Sequence, residues 1–236
     1  GWKPYCPIGH PSADRRYGFG GIGAGHQGSG NTIRFRAKNA AAAFREAQIH
    51  FLRHPEGGTF RVIAGEKAVR DVDTRGEKYR EDFIRISFGQ TKELAIETVS
   101  GGLVRINAVF LENPGPGVVL DAVSLTGARF ENWYSMPAAH LHAEMAARSP
   151  DLVLFHFGLN ESDTDVEADY PERIAELVAR IRKASGASCV IVSPTDKVQK
   201  FNGQWRTLPV IRKIARLQQQ AARKAGCAFF DTLSAM

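Results

Sequence analysis

The chain has 236 residues, 43% apolar and 24% charged, the balance of an ordinary folded protein rather than a disordered or fibrous one. No apolar run approaches the roughly 20 residues of a membrane helix, and Gly1-Trp2-Lys3-Pro4-Tyr5-Cys6 has no apolar stretch of an export signal, so any such signal would have to precede Gly1. The net charge of +6 is spread along the chain, which argues for solubility rather than a nucleic-acid partner.

Residues 1–30 are glycine-rich and read as an irregular segment belonging with the α/β region further on. Within them Gly18-Phe19-Gly20-Gly21-Ile22-Gly23 matches the dinucleotide fingerprint in form, but no buried strand precedes it and no helix follows, so it reads as a loop. From Asn31 to Glu112 short alternating segments predict strands at Thr32–Arg36, Ala47–His54, Thr59–Ala64, Lys67–Asp73, Asp82–Phe88, Glu93–Thr98 and Leu103–Leu111, with Ala40–Ala43 as a helix-prone lead-in. Pro55-Glu56-Gly57-Gly58, Ala64-Gly65-Glu66 and Ser100-Gly101-Gly102 supply the turns. So many strands in one stretch predict a β-sandwich module over residues 31–115.

Asn113-Pro114-Gly115-Pro116-Gly117 ends that pattern. Beyond it, strands Val118–Ser124, Leu152–Phe157, Cys189–Ser193 and Cys227–Asp231 alternate with helices Ser135–Arg148, Pro171–Ala184 and Leu208–Ala225. Such an order predicts a parallel sheet with helices on both faces over residues 116–236. Arg212, Lys213, Arg216, Arg223 and Lys224 read as the solvated face of the last helix. The three cysteines allow at most one bridge; Cys189 and Cys227, in apolar strands, are expected to be buried free thiols.

Functional loops of a parallel sheet leave the carboxyl ends of its strands. Here those are Ser124–Trp133, Gly158–Asp165 and Ser193–Trp205. Gly158-Leu159-Asn160-Glu161 after a buried strand, and Gly127 in the loop after the strand before it, resemble the third and second motif blocks of the SGNH/GDSL hydrolases. Ser193-Pro194-Thr195-Asp196 and Phe229-Phe230-Asp231 extend the likeness. A β-module ahead of the second block is similar to the bacterial subfamily that includes the peptidoglycan O-acetylesterases.

The resemblance implies a three-layer, flavodoxin-like SGNH-hydrolase domain with a jelly-roll-like β-sandwich beside it. It implies a serine esterase that removes O-acetyl or similar acyl groups from a carbohydrate polymer, without a cofactor or metal, in the periplasm or outside the cell. Gly127 and Asn160 become the oxyanion hole, since a backbone N–H exposed by glycine and an uncharged amide N–H are suited to a developing oxyanion. Trp133 and Tyr134, just after the glycine loop, are placed either to stack on a sugar ring or to pack the helix start.

Two family blocks are missing. The chain contains no Gly-Asp-Ser, and none of its seven histidines has aspartate three residues before it. The nucleophile and base are therefore expected outside this segment of a longer protein; the alternative is a carbohydrate-binding or scaffold homologue that has lost the chemistry. Other candidates read as structural. His140 and His142 point to different helix faces, the acidic alternation Glu161, Asp163, Asp165, Glu167, Asp169 lacks the glycine and terminal glutamate of a calcium loop, and His156 is expected in the core. Oligomeric state is not legible.

Overall fold

The computed structural model describes residues 1–38, 42–164 and 166–235. Ala40 and Ala41 of the helix-prone stretch, and Asp165 of the acidic run, lie outside the described residues. The chain forms two compact units, Gly1–Ser124 and Leu125–Met236.

The first unit is built from nine strands: β1 (Lys3–Tyr5), β2 (Gly23–Gln27), β3 (Thr32–Arg36), β4 (Phe44–Arg53), β5 (Thr59–Ala64), β6 (Lys67–Asp73), β7 (Arg80–Thr91), β8 (Glu93–Thr98) and β9 (Leu103–Glu112). They form two antiparallel sheets, in the orders β1-β2-β9-β4-β7 and β3-β8-β5-β6. Period-two alternation explains which side of each strand is dry. In β5, Phe60, Val62 and Ala64 are buried while Thr59, Arg61 and Ile63 are not. The inward residues of both sheets, among them Ile49, Phe51, Phe60, Leu94, Ile96 and Val104, join one apolar cluster. β9 lies between β2 and β4, not in the parallel sheet.

Residues 1–30 differ from the expectation of an irregular segment. β1 and β2 extend the larger sheet through β9, and the glycine run forms the tight turn into β2, closed by the Gly21 N–H on the Gly18 carbonyl at 2.8 Å. A buried ion pair holds the intervening chain: the Arg105 guanidinium of β9 donates to Asp14 and to the Arg16 carbonyl, and lies 4.7 Å above the Tyr5 ring.

The second unit contains α1 (Phe130–Tyr134), α2 (Ala138–Arg148), β10 (Leu152–His156), a 3-10 turn (Glu161–Asp163), α3 (Tyr170–Ser185), β11 (Ser188–Val192), β12 (Val198–Phe201), β13 (Gln204–Thr207), α4 (Pro209–Ala225), β14 (Ala228–Phe230) and α5 (Thr232–Ala235). β10, β11 and β14 form a parallel sheet in that order. The helix expected over Ser135–Arg148 starts three residues later, at Ala138, because Pro137 lacks an N–H and so caps α2. In α4 the apolar stripe Ile211, Ile214, Ala215 and Ala222 is buried, and Arg212, Arg216, Arg223 and Lys224 are exposed, as expected.

Four expectations change here. Val118–Ser124 is not a strand: it joins no sheet among the described residues, and Val118, Val119 and Leu120 are 99%, 64% and 83% exposed. Cys189 and Cys227 are not free thiols but a disulfide joining β11 to the residue before β14. The three-layer arrangement is also incomplete among the described residues. α3 packs against α2 and α4, and α4 against β11 and β14; Phe155, Cys189 and Ile191 are buried. On the opposite face Leu152, Leu154 and Phe230 are 52%, 57% and 54% exposed. His156 shares that exposed face and is not in the core.

Candidate active site

Because β10, β11 and β14 run parallel, the loops after them emerge at one edge of the sheet. The loop after β10 begins at Gly158, whose φ of 118° lies in the region that only glycine enters easily. A Cβ there would stand 2.9 Å from Ile214 Cγ2 and 3.0 Å from Pro194 Cγ, so close packing also requires glycine. The Gln218 amide seals the strand end by donating to the Phe157 carbonyl at 2.9 Å.

Glu161, the fourth residue of the motif, is 3% exposed. One carboxylate oxygen accepts the Gly158 N–H at 2.8 Å, and the other accepts the Phe130 N–H at 2.9 Å. A single carboxylate thus joins the β10 loop to the start of α1. Asn160 makes the parallel connection: its Nδ2 donates to the Ala128 carbonyl at 2.8 Å. The Leu125–Ala128 turn is closed by the Ala128 N–H on the Leu125 carbonyl at 2.9 Å, with Gly127 as its third residue at φ 79°. Such a turn wants glycine in that position. The two sequence-predicted oxyanion donors therefore sit in loops hydrogen-bonded to each other. Asn160 ties the neighbouring loop rather than its own turn, using one of the two N–H groups of its amide.

Trp133 is buried against the Phe157 ring at 5.5 Å between centroids. Tyr134 donates its hydroxyl to Glu176 at 2.7 Å, and the Arg173 and Arg180 guanidinium groups lie over its ring at 5.0 and 4.6 Å. Both rings are engaged in packing around α1. Burial, with the nearby Glu161 charge, raises the Tyr170 phenol above its ordinary range; this ring meets Phe130 edge-on at 4.9 Å.

Sequence reasoning did not single out Lys197. Its ammonium donates to Ser162 Oγ at 3.0 Å and to Asp163 at 2.5 Å, fastening the loop after β11 to the 3-10 turn that follows Asn160. The Lys197 hydrogen bond and charge hold the Asp163 carboxyl below the usual range. Of the acidic alternation, Glu161 is thus a buried bridge, Asp163 a partner of Lys197, and Glu167 a partner of Arg173. Near the third loop, buried Ser193 donates to Asp231 at 3.1 Å, and the Leu233 N–H approaches its Oγ at 3.3 Å. Hydrogen bonds from Ser234 first, then from Ser193, hold the Asp231 carboxyl low. His140 is buried and His142 exposed on α2, and among the described residues no three His, Cys, Asp or Glu side chains are grouped to hold a metal ion.

The GDSL-like lipase/acylhydrolase family matches residues 100–236, more than half of the chain. The chain belongs to that family. The structure of a peptidoglycan O-acetylesterase captured in action superposes with a TM-score of 0.79 at 18% identity, covering 100% of this chain and 64% of that one. Together with the family match, this likeness shows an SGNH-hydrolase-like fold, and the chain spans 64% of the length of the matched structure. A family two carbohydrate esterase from Clostridium thermocellum in complex with cellohexaose matches over 89% of this chain and 84% of its own, at 10% identity and a TM-score of 0.29. A family 35 carbohydrate binding module from an environmental isolate matches over 41% of this chain and 74% of its own, at 18% identity and a TM-score of 0.31. No curated protein matches.

Proposed function

We propose that residues 1–236 are part of a serine ester hydrolase that removes O-acetyl or similar acyl groups from a carbohydrate polymer, with the nucleophilic serine and histidine base in chain outside this segment. The observation that carries the reading is the Asn160–Ala128 hydrogen bond, which brings an uncharged side-chain donor to the Gly127 turn. The uncovered face of the β10-β11-β14 sheet supports it, because parallel sheets are stable when both faces are covered. In the reaction, a serine Oγ attacks the ester carbonyl carbon and passes its proton to the histidine. The carbonyl oxygen becomes an oxyanion and accepts hydrogen bonds from the Gly127 N–H and Asn160 Nδ2, each worth about 3–4 kcal/mol there. Collapse breaks the ester C–O bond, the sugar oxygen takes the proton from the imidazolium, and water releases the acyl group by the same sequence.

In this reading the first unit is a β-sandwich that helps position the polymer. An open cleft of about 680 Å³, with Gln27, Glu56 and Arg75 among its lining residues, offers the hydrogen-bonding chemistry a sugar needs. The Cys189–Cys227 disulfide favours an oxidising compartment, periplasmic or extracellular. The complete protein is expected to hydrolyse p-nitrophenyl acetate and to release acetate from an O-acetylated polysaccharide, with both activities stopped by a serine-directed fluorophosphonate. Residues 1–236 alone should be no faster than a denatured control. Fluorophosphonate-sensitive turnover by this segment would place the nucleophile within it, and an inert complete protein would favour the non-catalytic homologue.

A further inference from the structure

The stretch Ser193–Trp205, expected to be a loop, contains a two-stranded ribbon, β12 and β13, paired from Val198↔Thr207 to Phe201↔Gln204. Its turn is Asn202-Gly203, with φ 47° and 81°, the left-handed pair that matches the twist of a tight hairpin. The ribbon is not a third layer on anything. Trp205, Val198 and Phe201 are 67%, 49% and 41% exposed, and every residue of the two strands except Thr207 is exposed. An isolated two-stranded hairpin is marginally stable in water. This one is fixed at its root, by the Leu208 N–H on the Lys197 carbonyl at 2.9 Å, by Thr207 Oγ1 on Asp196 at 3.2 Å, and by the Lys197 ammonium on Ser162 and Asp163.

That last pair of bonds matters most, since Ser162 and Asp163 directly follow Asn160 and Glu161. The ribbon is rooted in the same loop system as the oxyanion donors. Its pairing puts Trp205 opposite Lys200, on the face that also carries Val198 and Thr207. An exposed indole with a lysine opposite it on the same face suits a pyranose, whose C–H face stacks on the ring while a hydroxyl group accepts from the ammonium. A lipid surface would instead favour a contiguous apolar face, which Lys200 interrupts.

We propose that the β12–β13 ribbon is a sugar-binding subsite, with Trp205 stacking on a carbohydrate ring near the acylated position. The inference rests on the ester-hydrolase reading for its placement beside the reaction, but the sugar contact is measurable by itself. In the complete protein, Trp205→Ala is expected to lower the ratio of kcat/KM for an O-acetylated polysaccharide to that for p-nitrophenyl acetate by about tenfold, and Trp205→Phe to restore most of it. An unchanged ratio in Trp205→Ala overturns the proposal. If the wild type turns over neither ester, the ester-hydrolase reading fails, and binding decides: chitotetraose or xylotetraose should change the wild-type tryptophan fluorescence, and Trp205→Ala should abolish the change. Loss of binding to phosphatidylglycerol vesicles in that variant, with no response of the wild type to either oligosaccharide, would overturn the sugar assignment.

Discussion

Glu161 and Asn160 stand next to each other in the chain and do different work. Gly158-Leu159-Asn160-Glu161 was recognisable as a motif because the residue types are local, but the Ala128 carbonyl that Asn160 meets and the Phe130 N–H that Glu161 meets lie 32 and 31 residues away, and no spacing reveals them. The sequence context suggested a solvated acidic run around Glu161; the structure buries it between two backbone N–H groups. His156 misleads in the opposite direction, because an apolar strand implies two covered faces and β10 has one. Glu161→Ala should leave the buried Gly158 and Phe130 N–H groups unpaired and destabilise the second unit by about 2–4 kcal/mol. Urea unfolding of the variant measures this, and a midpoint equal to wild type would show that water replaces the carboxylate without loss.

At the level of elements, the strands and helices with a clear period were legible. β5, β6 and β8 have the predicted limits, α3 is one residue longer than expected at each end, and α4 starts one residue later. What failed had no local signal. Val118–Ser124 has strand composition, yet composition does not supply a neighbour. The pairing of Cys189 with Cys227 depends on β11 and β14 being adjacent, a fact of topology. By contrast, Asn202-Gly203 between two alternating segments is a strong hairpin signal that the reading passed over. The disulfide spans 38 residues, and closing a loop of that size in the unfolded chain corresponds to about 4 kcal/mol in the chain-entropy treatment. The Cys189→Ser, Cys227→Ser double variant should therefore lose about 2–4 kcal/mol. Reduction by dithiothreitol should lower the wild-type midpoint while leaving that of the double variant unmoved.

On the scale of the whole molecule, a change of period after Glu112 is visible in the sequence, whereas the pairing of β1 and β2 in the first 30 residues has no such signal. That ladder is reinforced by the Arg105–Asp14 pair, 91 residues apart in sequence, at 7% and 24% side-chain exposure. Burial alone would raise the Asp14 carboxyl, but the hydrogen bond and charge of Arg105 outweigh it and hold it below the ordinary value. A depressed carboxyl pKa stabilises the fold above the unfolded-state value and loses that contribution as pH falls through the folded-state value. Asp14→Asn should therefore cost about 3 kcal/mol at pH 7, because Arg105 is left buried without its counter-charge. The difference from wild type should shrink on acidification below the ordinary carboxylate range, and a pH-independent difference would contradict the ion-pair account.

The central claim is that the Asn160 side chain, positioned on the Gly127 turn, stabilises a transition-state oxyanion. The most direct measurement is kcat for Asn160→Ala in the complete protein, taken with the unfolding midpoint of the same preparation. A transition-state donor predicts a fall in kcat of about 100–1,000-fold with little change in KM, alongside a stability loss of only about 1 kcal/mol from the bond to Ala128. A folded Asn160→Ala protein with near wild-type kcat would contradict it.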